Sequence, residues 1–476
     1  MPRGAEGIRP DGSCRQGGRK TLGPAPRHRP SSPTEPVSPL SAAVPGPRPP
    51  GPLSPSHGTV REGTATDPGV PPGPSVGPGE PERLRIAFFT DSFVPTHDGV
   101  ANETDSVARA LVGLGHEVTV FTVRTPGTLR NERREDGVRV RRYVGVPAPG
   151  YPQYRIALFP WGAAFAARGR FDVVHVHTPG FVGLAGWLAG RGAKLPLLAT
   201  YHTDLAELLR GAGRHRGSRA FFRAWGRFGV DLCRTAQLAT APTDAGAAAL
   251  APRPGARTSA PVWVVENGVE PERFRPGITA PDWGARLAPS RPPFVLFLGR
   301  LTRDKGVHRF LDAVDRLDLG PPWTALIGGD GPQRGAVENH IAARRGRISH
   351  LRYLGPVAES EKPALLAQSS IFVLPSLSDT SSVALLEAMA AGAVGVVTTR
   401  GGPGEIARRS GCGLVVDPED AGAIAAAIQR LLRDPAEASD HARRGRAWVV
   451  EEASSVRTAR GYLHGYRRIL RPGTPR

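Results

Sequence analysis

The sequence contains few cysteines, few lysines and no long apolar run. Its three cysteines, among 476 residues, are widely spaced and fit neither a disulfide framework nor a metal-binding pattern, so we expect reduced thiols. No apolar run reaches the roughly 18 residues that a membrane span needs, and the N-terminus lacks the apolar core of a signal peptide. These absences exclude a disulfide-rich secreted domain and lead us to expect a cytoplasmic protein.

Lysine is scarce although the chain is strongly basic. The net charge is +19 and the pI is about 11.0, a balance that would suit a nucleic-acid-binding protein. Arginine supplies nearly all of this charge and is spread along the chain beside abundant alanine, glycine and proline, which indicates biased codon usage as much as a selected surface. We therefore expect no nucleic-acid partner, and we treat a lysine at a motif position as informative. The four lysines are Lys20, Lys194, Lys305 and Lys362.

Composition and hydrophobic pattern divide the chain into four regions. Residues 1–81 are rich in proline, glycine and serine and cannot bury enough apolar surface to offset chain entropy, so we predict a disordered tail; a translation start assigned too far upstream is the alternative. Beyond it, buried strands alternate with helices of about 10 to 15 residues, which predicts doubly wound parallel sheets. We predict an N-terminal Rossmann-like domain at 82–265, a second at 266–452, and a C-terminal helix and tail at 453–476 that is able to cross back to the first domain.

Polar residues follow several strands of the first half, and ligands of doubly wound sheets bind at such strand ends. The segments 97–99 (His-Asp-Gly) and 202–204 (His-Thr-Asp) should face one crevice. His175 and His177 alternate along another strand, and we expect one of the two to face the cleft. No Asp or Cys accompanies them at metal-ligand spacing, so no metal is expected. The alternating segment 138–143 is expected to be the edge strand of this sheet.

The most informative stretch is Pro375–Gly392, PSLSDTSSVALLEAMAAG. The apolar run before it is typical of a buried strand, and either Ser381 or Ser382 can cap the helix that follows. The unit places one carboxylate, Asp379, in a loop and a second, Glu387, in the helix. A helix N-terminus at a strand end suits an anionic ligand, and carboxylates beside it can accept hydrogen bonds from hydroxyl groups. The alternative is an ordinary strand, loop and helix with solvated carboxylates.

Two further segments follow buried strands of the second half. In Gly299–Gly306 (GRLTRDKG), Arg300 and Lys305 can hold a diphosphate, the arginine through its planar fork and the lysine as a point charge. In Gly328–Pro332 (GGDGP), glycine allows the backbone to approach a nucleotide closely. Two solvated cations and a plain tight turn are the corresponding alternatives.

Together these motifs resemble the donor site of the retaining glycosyltransferases of family 4, which have the GT-B fold. The family pattern of a Glu, seven residues and Glu-Ala-Met-Ala-x-Gly matches residues 379–392, with Asp379 in place of the first Glu. The family's Gly-Arg-Leu-x-x-x-Lys-Gly and Gly-x-Gly-Pro elements match the two glycine-containing segments, and its Tyr-His-Thr-Asp sequence matches Tyr201–Asp204. Asp is one methylene shorter than Glu, so a catalytically inactive sugar-nucleotide-binding protein stays an alternative.

The resemblance implies an α/β fold of two doubly wound Rossmann-like domains that face a central cleft, and it assigns roles to individual residues. Gly99 lies in the family's glycine-rich loop, and Val357 lies where the family holds the nucleobase through main-chain groups. The implied catalytic residues are His202, Asp379, Arg300 and Lys305. The implied donor-binding residues are Gly99, Arg300, Lys305, Gly329, Val357, Asp379, Ser382 and Glu387, and the acceptor-side residues are Asp98, His202 and Asp204. The resemblance implies no cofactor and no metal.

The implied activity is retaining transfer of mannose or glucose from a UDP- or GDP-linked sugar to a lipid or glycan acceptor, as in cell-envelope glycolipid synthesis. The segment 213–234 combines six arginines with Phe221, Trp225 and Phe228 at helical spacing, which suits an anionic membrane surface; a core-facing helix with a solvated basic face is the alternative. We therefore expect a cytoplasmic enzyme, peripheral on the inner face of the plasma membrane. A nucleic-acid-binding protein is the remaining alternative.

Overall fold

The computed structural model describes most of the chain beyond the N-terminal tail. The described residues are 83–96, 98–148, 151–161, 170–202, 216–251, 260–279, 292–320, 322–344, 350–377, 379 and 381–471, together with Trp283, Leu287 and Ser290. The predicted disordered tail, His97, Asp204 and the first residues of the arginine-rich segment lie outside them.

An eight-stranded sheet forms the N-terminal half. Its strands are β1 (Arg85–Phe89), β2 (Glu117–Val123), β3 (Asn131–Arg133), β4 (Arg139–Tyr143), β7 (Val173–Val176), β8 (Leu197–Thr200), β9 (Leu238–Ala241) and β10 (Val262–Val264), and a separate hairpin pairs β5 (Gly145–Ala148) with β6 (Tyr151–Ala157). The strand order is β10-β9-β8-β7-β1-β2-β4-β3, and every pair is parallel except β3 with β4. The central strands are apolar and buried because helices cover both faces of the sheet.

The expectation that residues 138–143 form the edge strand is wrong. β4 does alternate between buried and partly exposed residues, but the short strand β3 pairs with it antiparallel and takes the edge position. The sequence of β3, Asn-Glu-Arg, has neither the apolar content nor the length by which a strand is recognised from sequence.

A six-stranded parallel sheet forms the C-terminal half. Its strands are β11 (Phe294–Leu298), β12 (Thr324–Gly328), β13 (Leu351–Gly355), β14 (Ser369–Leu374), β15 (Val394–Thr398) and β16 (Gly413–Val416). Their order, β13-β12-β11-β14-β15-β16, is that of a Rossmann sheet, in which the direction of winding reverses between the first and fourth strands. The predicted α/β fold with two Rossmann-like sheets is confirmed.

Helices connect the strands and cover the sheets. In the N-terminal half they are α1 (Gly99–Gly113), α2 (Phe181–Ala193), α3 (Arg216–Arg234) and α4 (Asp244–Ala249). In the C-terminal half they are α5 (Val307–Val314), α6 (Arg334–Ala343), α7 (Lys362–Gln368), α8 (Val383–Ala390), α9 (Gly402–Ser410), α10 (Ala421–Arg433), α11 (Pro435–Glu452) and α12 (Ser455–Leu470). None of the helices within the described residues is long and apolar enough to cross a membrane.

The last helix, α12, packs on the N-terminal sheet rather than on the sheet that precedes it in sequence. Its buried residues Tyr462 and Tyr466 share a core cluster with strands β1 and β2 and with helix α1. The chain therefore crosses twice between the two sheets. Main-chain hydrogen bonds join the two crossing segments: the Val269 N–H donates to the Ala453 carbonyl, and the Val269 carbonyl accepts from the Ser455 N–H. A Cβ on Gly268 would come within 2.6 Å of the Ser454 backbone, so glycine is required for this close approach.

Candidate active site

The reversal of winding in each sheet determines where a ligand can bind. In the C-terminal sheet it lies between β11 and β14, and the loops after these two strands are Gly299–Gly306 and Pro375–Ser382. In the N-terminal sheet it lies between β1 and β7, after which come α1 and His177. Ligands of open α/β sheets bind at these reversal points. The topology therefore brings together the cationic and carboxylate motifs of the second half.

Close backbone packing fixes the turn that carries Arg300 and Lys305. Gly329 has a φ of 130°, and a Cβ on it would come within 1.8 Å of the carbonyl oxygen of Gly299. Gly306 is the N-cap of α5 with a φ of 74°, and a Cβ there would come within 2.0 Å of the Pro375 oxygen. Only glycine fits these two positions. Arg300 and Lys305 are both half-buried at the end of β11.

Asp379 is paired with a motif lysine. Its Oδ1 lies 2.5 Å from Nζ of Lys305, and both side chains are largely buried. The Asp379 carbonyl accepts from the backbone N–H of Gly402, which anchors the loop, while Oδ2 is buried without a hydrogen-bond partner among the described atoms. The lysine predicted for the donor phosphate and the carboxylate predicted for the sugar are therefore in direct contact.

Glu387 is paired with a lysine to which the sequence motifs assign no role. Nζ of Lys362 lies 3.0 Å from each carboxylate oxygen of Glu387 and 3.0 Å from Glu359. Burial alone would lower the pKa of Lys362, but the carboxylates of Glu387 and Glu359 raise it overall, so the ammonium group stays charged. Asn102 of α1 donates to Glu359 at 3.4 Å, which connects this network to the N-terminal half.

The sequence contains a signal for Lys362 that motif matching does not use. Lysine is so scarce in this chain that each lysine of the folded part merits attention, and two of the four, Lys305 and Lys362, neutralise the two carboxylates of the central motif. At both positions the lysine provides a compact charge on a flexible stem.

The N-termini of two helices meet beside these ion pairs. Ser382 caps α8 by accepting from the N–H of Leu385 at 3.2 Å, so of the two candidate caps Ser382 is the one used. Asp98 caps α1 by accepting from Ala101 at 2.8 Å and also accepts from Ser92. A Cβ on Gly99 would lie 3.7 Å from the Val383 side chain. Both helices direct the positive ends of their dipoles into one region, which favours an anionic ligand.

Val357 lies just beyond β13 and packs at the border of the C-terminal core. Its Cγ2 atom would be 3.0 Å from a Cβ on Gly328, so the two loops are closely packed. Two hydrogen bonds join the neighbouring loops: the Gly329 N–H donates to the Gly355 carbonyl at 2.9 Å, and the Tyr353 hydroxyl donates to the Gly329 carbonyl at 2.9 Å. Val357 therefore borders the same loop cluster as Gly329.

The histidines of the N-terminal half form a buried cluster. His202 follows β8, and its Nε2 lies 3.1 Å from Nδ1 of His177. His175 instead contacts the hydroxyls of Tyr466 and Thr200, at 2.7 and 2.6 Å. Burial lowers the pKa of His202 to about 3, so its imidazole is neutral at physiological pH.

One expectation about this cluster is wrong. One of His175 and His177 was expected to face the cleft, but both are fully buried, because Tyr466 and Thr200 pack on His175 and His202 packs on His177. From sequence, only Asp and Cys were considered at metal-ligand spacing, and the structure adds a glutamate. Glu103 of α1 lies 3.5 Å from His202 and 4.0 Å from His177. Burial raises the pKa of Glu103 to about 8. Sequence spacing could not reveal this contact because the three residues come from different elements.

The second half of α3 is partly packed against the protein. The Trp225 ring lies 5.2 Å from the Phe181 ring of α2 and 5.5 Å from the Phe228 ring. Phe228 is 39% exposed. Trp225 thus faces α2, and Phe228 faces solvent. The core-facing interpretation holds at Trp225 and the surface interpretation at Phe228.

Two Rossmann-like sheets, with cations, carboxylates and helix N-termini gathered where they meet, define a glycosyltransferase of the GT-B class. The family model Glycosyltransferase Family 4 matches residues 97–273, and Glycosyl transferases group 1 matches residues 284–448. The chain belongs to glycosyltransferase family 4, and it is a hexosyltransferase.

Individual relatives agree with this assignment. A GDP-mannose-dependent alpha-mannosyltransferase of Mycobacterium tuberculosis is 30% identical over 378 residues, which cover 77% of this chain and 94% of the relative. A 2-deoxystreptamine glucosyltransferase of Streptomyces kanamyceticus is 28% identical over 385 residues, which cover 76% of this chain and 97% of the relative. The crystal structure of Anabaena HepE in complex with UDP and glucose is similar in fold, with a TM-score of 0.64, 20% identity and coverage of 81% of this chain and 100% of that chain.

Proposed function

We propose that this hexosyltransferase moves mannose or glucose from a UDP- or GDP-linked sugar to a lipid or glycan acceptor with retention of the anomeric configuration. The observation that carries the proposal is the pair of lysine–carboxylate contacts at the β11–β14 reversal point, Lys305 with Asp379 and Lys362 with Glu387. A nucleotide sugar carries a diphosphate next to two rings of hydroxyl groups. Cations and carboxylates alternating over this short distance match both kinds of group.

The donor phosphates are held without a metal in this proposal. On donor binding, Lys305 leaves the carboxylate of Asp379 and binds a phosphate oxygen of the donor. The guanidinium group of Arg300 donates two hydrogen bonds to the diphosphate, and the positive end of the α8 dipole points at it. These groups stabilise the charge that develops on the leaving diphosphate. Asp379, released from Lys305, accepts a hydrogen bond from a sugar hydroxyl, and Glu387 accepts one from the ribose.

The transfer itself breaks the bond between the anomeric carbon and the phosphate oxygen and forms a bond to the acceptor oxygen on the same face. The proton of the acceptor hydroxyl passes to the leaving phosphate, so no protein base is needed. His202, which is neutral, hydrogen-bonds the donor sugar rather than taking the proton. Closure of the two halves excludes water from the reacting groups.

A donor and acceptor screen tests this function. Release of UDP or GDP is followed with UDP-glucose and GDP-mannose, each offered membrane lipid extracts and soluble glycans, and the product anomer is assigned by NMR. We expect one donor to be used, with retained configuration. An inverted product contradicts retention. Binding of a nucleotide sugar without turnover of any acceptor, with Lys305→Ala abolishing the binding, supports the inactive alternative.

We also propose that the enzyme works at an anionic membrane surface. The support is the arginine-rich segment that ends in α3, together with the exposure of Phe228 and of Phe159, which is 79% exposed. Cosedimentation with vesicles of anionic lipid should decline as salt rises, whereas vesicles of neutral lipid should bind little. Equal binding to both kinds of vesicle, or to neither, favours a soluble acceptor.

A further inference from the structure

Three side chains from three separate elements converge in the N-terminal half. Glu103 comes from α1, His177 follows β7 and His202 follows β8. Their facing atoms, Oε2 of Glu103, Nδ1 of His177 and Nε2 of His202, are separated by 3.1 Å between the histidines, 3.5 Å from Glu103 to His202 and 4.0 Å from Glu103 to His177. All three side chains are at most 2% exposed.

One oxygen of the Glu103 carboxylate accepts from the Tyr462 hydroxyl at 3.5 Å, and the other has no hydrogen-bond partner. This second oxygen, Oε2, is buried, and among the described residues no lysine or arginine pairs with the carboxylate. The nearby Asp91 shows how this fold satisfies a buried carboxylate: its oxygens accept from the backbone N–H groups of Val182 and Gly183 and from the Thr178 hydroxyl. A buried charge without such partners is strongly destabilising unless something neutralises it.

The geometry of the three atoms fits a metal ion. A tetrahedral zinc ion lies about 2.0 to 2.1 Å from nitrogen and oxygen ligands, which places neighbouring ligand atoms roughly 3.3 Å apart. Two of the separations, 3.1 and 3.5 Å, lie close to this value, and the third, 4.0 Å from Glu103 to His177, has to shorten by about 0.7 Å when the ion binds. Two imidazole nitrogens and one carboxylate oxygen are also a donor set that zinc binds in proteins.

We propose that Glu103, His177 and His202 bind one zinc ion. The ion neutralises Glu103 and joins α1 to the ends of β7 and β8, so that His202 is held in one orientation with its Nε2 directed inward. Tyr462 of α12 lies 3.5 Å from the other oxygen of Glu103 and serves as an outer partner that orients the carboxylate. The ion is structural and separate from the donor phosphates, and it departs from the expectation from sequence that no metal binds at these histidines.

Metal binding by the full chain tests the proposal without an activity assay. Protein stripped with a chelator and dialysed is titrated with zinc sulfate alone. We expect one zinc per chain that survives gel filtration, a rise of a few degrees in Tm that saturates at one equivalent, and a visible absorption band typical of tetrahedral coordination when cobalt replaces zinc. Failure of the stripped protein to retain zinc overturns the proposal.

Two ligand variants and one control locate the ion. Glu103→Gln and His177→Gln should each bind zinc more than about 100-fold more weakly, since even loss of an outer partner costs roughly 10- to 100-fold. His340→Gln is the matched control, because His340 lies 3.2 Å from a single carboxylate, Asp315, which already pairs with Arg344. Its zinc affinity should equal that of the unmodified chain. Unchanged affinity in both ligand variants overturns the proposal, and circular dichroism verifies that each variant is folded.

Discussion

The two reversal points of this enzyme neutralise buried carboxylates in opposite ways. In the C-terminal half, Asp379 and Glu387 each contact a lysine, Lys305 and Lys362. In the N-terminal half, Glu103 contacts two imidazoles, which burial keeps neutral, and the Tyr462 hydroxyl, and among the described residues no lysine or arginine pairs with it. A lysine can exchange its carboxylate for a phosphate, so the C-terminal arrangement suits a ligand that enters and leaves. The N-terminal arrangement has no mobile cation, which suits a permanent structural group.

Replacement of Lys362 should have the largest effect. Glu387 would then be, like Glu103, a buried carboxylate with no cationic side chain paired with it among the described residues. Lys362→Met leaves the buried Glu387 carboxylate unpaired, and we expect a loss of about 3 to 5 kcal/mol in the free energy of unfolding. Chemical denaturation measures it. The double variant Lys362→Met with Glu387→Gln should recover most of the loss.

A surface pair provides the control for this change. Arg334 and Glu338 form an exposed ion pair on α6, and Arg334→Met should leave the free energy of unfolding unchanged within error. If Lys362→Met is no more harmful than Arg334→Met, the Lys362–Glu387 pair does not neutralise a buried charge, and the contrast between the two halves fails.

The next effect concerns the lysine that we expect to change partners. Lys305→Ala and Arg300→Ala should each weaken binding of the bare nucleoside diphosphate by about 1.5 to 3 kcal/mol, or roughly 10- to 100-fold, because each removes a charge-assisted hydrogen bond. Calorimetry measures the affinity. Unchanged affinity in both variants would place the diphosphate elsewhere.

Asp379 should separate binding from turnover. Asp379→Asn releases Lys305 from its ion pair, so affinity for the bare diphosphate should hold or rise, while kcat/KM for the whole donor should fall by about 10- to 100-fold through loss of the charged hydrogen bond to the sugar. Asp379→Glu, which restores the family's usual residue, should lower turnover or change sugar preference if the shorter side chain is tuned to its lysine. If Asp379→Asn weakens binding of the bare diphosphate as much as Glu387→Gln does, the two carboxylates do not have separate roles in binding the sugar and the ribose.

The smallest effect is expected at Glu103 when no metal is present. In chelator, Glu103→Gln removes a carboxylate that has no cationic partner, and its free energy of unfolding should equal or slightly exceed that of the unmodified chain. Denaturation in excess chelator measures this. A large loss in chelator would mean that the carboxylate makes a stabilising contact of its own, like the carboxylates of the C-terminal half.

The sequence predicted the C-terminal half well because its signals are local. Buried apolar strands, glycines in tight turns and a serine cap all act over a few residues, so the sequence placed Gly329 in its turn and narrowed the helix cap to Ser381 or Ser382. The partners of the charged groups could not be predicted from sequence, because Lys362 and Glu103 contact residues of elements that are distant along the chain. The short strand β3 was missed because its polar residues pair only with a strand that is already in place.

The packing of α12 on the N-terminal sheet has a consequence for synthesis. Tyr462 and Tyr466 fill the core of a sheet whose own strands leave the ribosome much earlier. Domains generally fold as they emerge, N-terminal part first. In this chain the first sheet stays incompletely covered until α12 has been translated, near the end of synthesis. A chaperone that shields this sheet during translation would therefore affect yield more than one that acts on the C-terminal half, and a premature stop before Ser455 would leave the aromatic core of the first sheet open.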